Sequence, residues 1–172
     1  LQILMWTQLF LIGTGRGLKE LYMHYIYLIP ESSFRKIIWS HLEIAFKVLV
    51  ESLVIFCVAG FIIGEPVLLI FAAIVVYTLF SFLLLGINYL SLRWMGADIS
   101  AGLLIFIYTI AVVLIMLPGV IPAVIIGSLL GNIGVLIGHG ILALWELIAA
   151  LGCFMLSKGI LHRCDMPVMR AR

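Results

Sequence analysis

Charge is what this chain has least of. Only 10% of its 172 residues are Asp, Glu, Lys or Arg, against 65% hydrophobic residues and a mean hydropathy of +1.32. Those values lie far outside the soluble range and exclude a globule with a water-excluded core. Cysteine is scarce as well. Cys57 and Cys153 fall in apolar runs and Cys164 in a polar tail, so no disulfide framework is implied. A phosphate-cradling loop needs G-x-x-x-x-G-K-[ST], because backbone donors and a Lys must surround the phosphates. The nearest approach, GTGRG at 13–17, lacks that ending and reads as a flexible helix end. No nucleic-acid signature, metal-ligand cluster or cofactor motif occurs.

What is present is a series of apolar runs, several close to the roughly 20 residues that cross a bilayer. The chain opens with Leu1, and its first run, LQILMWTQLFLI at 1–12, covers only about 18 Å of a hydrocarbon layer of about 30 Å. It is expected to be the truncated end of a span that starts upstream, in a longer permease-like chain. A signal peptide would need a basic leading region and a small-residue cleavage site, and neither is there. Residues 13–43 are polar or amphipathic, and 44–63 form a span. Gly64, Glu65 and Pro66 make a tight break, and the uncharged run 67–87 is the clearest crossing helix. NYLSLRWMGADISA reads as a polar connector and 102–117 as another span. Pro118 and Pro122 in PGVIP each remove a backbone donor and disfavour a straight helix. The following AVIIGSLLGNIG is too short to cross, 135–156 is a final span, and 158–172 are a polar tail. The expected fold is an all-α polytopic transmembrane helical bundle of about four full spans, a truncated first span and a re-entrant outer-face segment at 118–134.

Basic residues bias their loops toward the cytoplasm. One threading puts all of them at or near that side: Arg16, Lys19, Arg35, Lys36 and Lys47, then Arg93, then Lys158, Arg163, Arg170 and Arg172. It requires the Pro118 region to start and finish outside and the carboxy terminus to be cytoplasmic.

Ionisable groups at membrane depth cost at least about 2.5 kcal/mol by insertion scales, which makes them candidates for function. Glu43, Lys47 and Glu51 are four apart on one helix face, either pairing mutually near the interface or leaving Glu51 to line a polar path. His139 and Glu146 are seven apart, too few for a convincing metal site. Glu146, beside Trp145, is expected to be the deeper of the two, as a hydrogen-bonding partner or as a transport-path residue. Gly127, Gly131, Gly134 and Gly138 include two small-xxx-small pairs that permit close helix approach. The broken segment at Pro118, Gly119 and Pro122 is a candidate gate.

Three stretches, ELYMHYIYLIPESSFRKIIWSHLE, NYLSLRWMGADISAGLLIFIYTIAVVLIMLPG and ALWELIAALGCFMLSKGILHRCDMP, resemble the ATP-binding cassette exporter permeases of Firmicutes. The resemblance implies a membrane permease subunit in a bacterial plasma membrane, moving a substrate by alternating access while a separate ATPase supplies the energy. It also implies a second permease half, identical or not. It places YLIPESSFRKIIW in or beside the cytoplasmic element that touches the ATPase, with Tyr27, Pro30, Phe34, Arg35 and Lys36 as contact residues. From the residues themselves, Pro30 stops one helix and Ser32 or Ser33 caps the next, presenting Phe34 beside two donors. The same segment also suits an interfacial helix, with Tyr27 and Trp39 in the aromatic belt and Arg35 and Lys36 at lipid phosphates. Two other classes stay open on sequence alone: an intramembrane enzyme using Glu51, His139 and Glu146, and a noncatalytic membrane scaffold.

Overall fold

The computed structural model describes residues 33–95 and 101–157. Among these the elements are four α-helices: α1 (Ser33–Ile63), α2 (Val67–Met95), α3 (Ala101–Leu129) and α4 (Gly131–Leu156). Each contains a stretch long and apolar enough to cross a membrane, namely Ile44–Ile63, Val67–Ser91, Phe106–Leu129 and Ile133–Leu156. Helices are the natural outcome of this composition, because hydrocarbon offers no partner to an unpaired backbone N–H or C=O. The expected truncated span 1–12 and the tail 158–172 lie outside the described residues.

The helices pair as two antiparallel hairpins. The α1–α2 turn is built from the GEP expected to make it. Gly64 takes φ +77°, and Gly64 and Glu65 both donate to the Gly60 carbonyl, at 2.9 and 3.0 Å. The two bonds, 5→1 and 6→1, meet on one carbonyl and end the helix at a glycine in the left-handed conformation. Pro66 then starts α2, its carbonyl accepting from Leu69 and Ile70. Along the hairpin Gly60 meets Ile70, Phe56 packs edge-on to Tyr77 with ring centroids 5.3 Å apart, and Ser52 lies 3.4 Å from the Thr78 hydroxyl. The α3–α4 turn is tighter still, pivoting on Leu130 and on Gly131 at φ +59°.

α2 is the central element and touches all three others. Phe80, Leu83, Leu84, Leu85 and Ile87 of α2 form the main core with Tyr108 and Val112 of α3 and Ala150 and Cys153 of α4. The Tyr108 hydroxyl donates to the Leu84 carbonyl at 3.1 Å, which satisfies its polar end inside the bundle. A smaller cluster of Val48, Phe56, Ile74 and Tyr77 joins α1 to α2. Large apolar residues on the outside, such as Phe61, Ile62, Val67 and Phe71, are what lipid contact requires, since tails are as apolar as the side chains they meet.

Three boundaries differ from the sequence expectation. The chain does not break at Pro118: α3 runs through Pro118 and Pro122 and turns at Leu130 and Gly131. A proline inside a membrane helix is tolerated where neighbouring groups take over the carbonyls it frees. Second, the polar letters from Asn88 onward are not a connector, because α2 continues to Met95 and both Asn88 and Tyr89 are 1% exposed. Their polarity belongs to the bundle interior, and Ser91 folds back on the Asn88 carbonyl at 2.8 Å. Third, the helix expected after Ser32 or Ser33 and the span expected at 44–63 are not separate elements: α1 runs unbroken from Ser33 to Ile63 with Ile44–Ile63 as its membrane-length part, so half of the expected coupling segment is the first part of the same rod as the span.

Candidate functional site

The most specific arrangement in the molecule lies between α3 and α4, where Trp145 is wedged into a notch. Gly119 is buried under the indole: a Cβ there would sit 2.5 Å from Trp145 Cδ1 and 2.8 Å from Cγ. Any larger residue would displace the ring. The indole Nε1–H donates to the Ile115 carbonyl at 2.7 Å. Pro118 has no N–H to give to the Leu114 carbonyl one turn back, and its ring crowds that turn. The neighbouring carbonyl, Ile115, is the one Trp145 reaches. Proline, glycine and tryptophan thus form one unit: a weakened turn, a notch beside it, and an aromatic donor from the facing helix.

Toward the turn the two backbones come together. A Cβ on Gly138 would lie 2.7 Å from the Ala123 carbonyl oxygen, and one on Gly134 would collide with that of Ile126. Of the four glycines expected to allow close approach, Gly134 and Gly138 do so. Gly131 serves the turn, and Gly127 has only ordinary contacts at 3.9 Å. The hairpin is therefore closed by glycines at one end and keyed by Trp145 at mid-length.

Next to Trp145 is Glu146, which is 0% exposed. Neither carboxyl oxygen has a hydrogen-bond partner. The residue lies one turn before Ala150, which packs in the main core with residues of both α2 and α3. A hydrogen-bonding structural role therefore has no acceptor or donor to act through among the described residues. His139 is half-buried and its Nδ1 is 2.7 Å from the Val135 carbonyl of its own helix.

The other expected site residues are dispersed. Glu51 is exposed on α1, which packs mainly on α2, so the bundle does not bring it together with Glu146. Lys47 is exposed one turn before it. Phe34, Arg35 and Lys36 fall in the first turn of α1, with Arg35 exposed; Tyr27 and Pro30 are outside the described residues. Pro118 is exposed, Gly119 buried and Pro122 half-buried. Among the described residues no three of His, Cys, Asp or Glu are grouped to hold a metal. Sequence reading missed the pairing of Trp145 with Gly119 and Ile115. The signal was there, in a glycine beside a proline on one helix and a tryptophan on its hairpin partner, but it needed the turn position to be connected.

Four membrane-length helices packed around a buried core define a polytopic α-helical membrane protein. Residues 1–165 match the family described as "Putative ABC exporter", and the chain belongs to that family. Membership makes it a transporter subunit, of a kind that works in general with an ATPase subunit. No match was found among curated proteins or among solved structures.

Proposed function

We propose that the chain is the membrane permease subunit of an ATP-binding cassette exporter, moving its substrate by alternating access driven by a separate ATPase. The observation that carries this beyond family membership is the continuity of α1. Its 31 residues from Ser33 to Ile63 make a rod of about 46 Å at about 1.5 Å per residue. One end holds Phe34, Arg35 and Lys36. The other reaches the Ser52–Thr78 contact and the Phe56–Tyr77 ring pair on α2. Movement of the ATPase against Tyr27, Pro30, Phe34, Arg35 and Lys36 passes along this rod to the central helix and from there to α4. The α3–α4 hairpin, weakened at Pro118 and keyed by Trp145 at Gly119, is the element that opens, with Pro122 one turn further on. Glu146 and Glu51 are the groups a polar path would use. On this reading the protein sits in a bacterial plasma membrane with its carboxy terminus in the cytoplasm, paired with a second permease half.

The test is co-purification. Phe34→Ala removes an apolar knob whose full burial contributes about 1.5–3 kcal/mol, which weakens a partner contact about 10-fold or more. It is expected to leave insertion and expression intact while reducing recovery of the ATPase and transport together. Arg35→Glu with Lys36→Glu adds repulsion against an acidic partner surface. Unchanged ATPase recovery and transport in both variants would remove the coupling assignment. Failure of the charge reversal to insert, with Phe34→Ala silent, would identify an interfacial helix bound to lipid.

A further inference from the structure

We propose that Glu146 is the recognition group for a lipophilic cation, shut off in the conformation described and opened when α3 separates from α4 at the Pro118–Gly119 notch. The proposal rests on the exporter reading and names the substrate class of that site. The first ground is that the carboxyl group is left over. It is fully buried near the middle of the Ile133–Leu156 stretch, with both oxygens unpartnered. Buried polar groups kept for structure are hydrogen-bonded. Among the described residues, the helices packed against α4 bring it no counter-charge at this depth: α3 from Ala101 to Leu129 contains no Asp, Glu, Lys, Arg or His, and the only charged residue of α2 is Arg93, seven positions beyond Gly86. A group that is costly at this depth is thus kept without an internal partner among the described residues.

The second ground is its neighbour. Trp145 precedes Glu146 and is held by one hydrogen bond to a carbonyl in a proline-weakened turn, over a glycine. Separating α3 from α4 there releases the indole and uncovers the carboxyl in a single movement. Together they offer an aromatic face and an anion, the two features that bind organic cations, and aromatic attraction to a cation strengthens when water is excluded. The surroundings set the rest of the ligand's character. One turn along α4, Ala150 packs in an apolar core with Leu83 of α2 and Val112 of α3. A ligand fitting them is bulky and apolar with one positive charge, able to arrive through the bilayer.

Tetraphenylphosphonium is the probe, and tetraphenylborate, of the same shape and opposite charge, is its control. The intact chain in native membranes, with and without ATP, is treated with dicyclohexylcarbodiimide, and modification of Glu146 is read by peptide mass spectrometry. Tetraphenylphosphonium is expected to protect Glu146 at least 5-fold and tetraphenylborate not at all. Saturable tetraphenylphosphonium binding to the purified protein is expected to fall at least 10-fold in Glu146→Gln and to be largely kept in Glu146→Asp. Equal protection by both ions, labelling that neither ion changes, or no labelling in any nucleotide state overturns the proposal without any variant having to fold. An ATPase that co-purifies while protection fails sinks this proposal alone. Protection that holds while no ATPase ever co-purifies sinks the exporter reading instead.

Discussion

At the scale of residues, the indole of Trp145 braces the turn that Pro118 weakens, filling the space over Gly119 and donating to the Ile115 carbonyl. Gly119→Val places a branched side chain where the indole lies, and overpacking of this kind costs about 1–3 kcal/mol. A clear drop in the thermal midpoint of the detergent-solubilised protein is expected. Trp145→Phe keeps most of the volume and loses the N–H donor, a loss of about 0.6–1.5 kcal/mol. The two features are linked through the turn they share. In a Pro118→Ala background the turn regains its donor, so Trp145→Phe is expected to cost less there than in the wild type. Additive losses across this double-mutant cycle would show that the indole does not compensate for the proline. Glu146 was legible as a charge at depth, and its burial agrees with that. Its lack of a partner was not legible, because that depends on which faces of α2 and α3 surround it.

Elements carry a different lesson, about where helices begin and end. The span 67–87 and the GEP turn were readable because an uncharged run and a Gly-Pro break are local signals. Asn88, Tyr89 and Pro118 misled the boundaries because each was judged by its own propensity. In the bundle Asn88 and Tyr89 are interior residues, and Pro118 lies within a helix that packs along α4 beside Trp145. The continuity of α1 has a mechanical consequence. If Phe34 to Lys36 act on the span through a rigid rod, helical phase between them matters. Inserting two residues before Ile44 turns the coupling end by about 200°, whereas four restore it to within about 40°. ATP-dependent transport is expected to be abolished by the first and partly retained by the second, with both proteins inserted in the membrane. Equal activity in the two would mean that the segment is a flexible tether.

For the molecule as a whole, topology is the testable quantity. Continuous α3 and α4 with a turn at Leu130 and Gly131 keep the parity that the basic residues demand, the ends of α2 and α4 lying opposite the hairpin tip. In a version whose only cysteine is Cys164, a membrane-impermeant thiol reagent is expected to label inverted vesicles and not intact cells. Moving that cysteine to the exposed Leu130 position should reverse the pattern. Labelling of Cys164 from outside would rule out the four-crossing arrangement. The sequence by itself determined that the chain is helical and that it has several segments fit to span a membrane, because hydropathy and span length act through the bilayer and need no partner helix. Only the tertiary structure decided that Pro118 lies within a helix, that Trp145 fills the space over Gly119, and that Glu146 is enclosed without a partner. Those depend on contacts between residues 26 or more positions apart, Trp145 and Gly119 among them, and the packing of one helix face on another is not written in either helix alone.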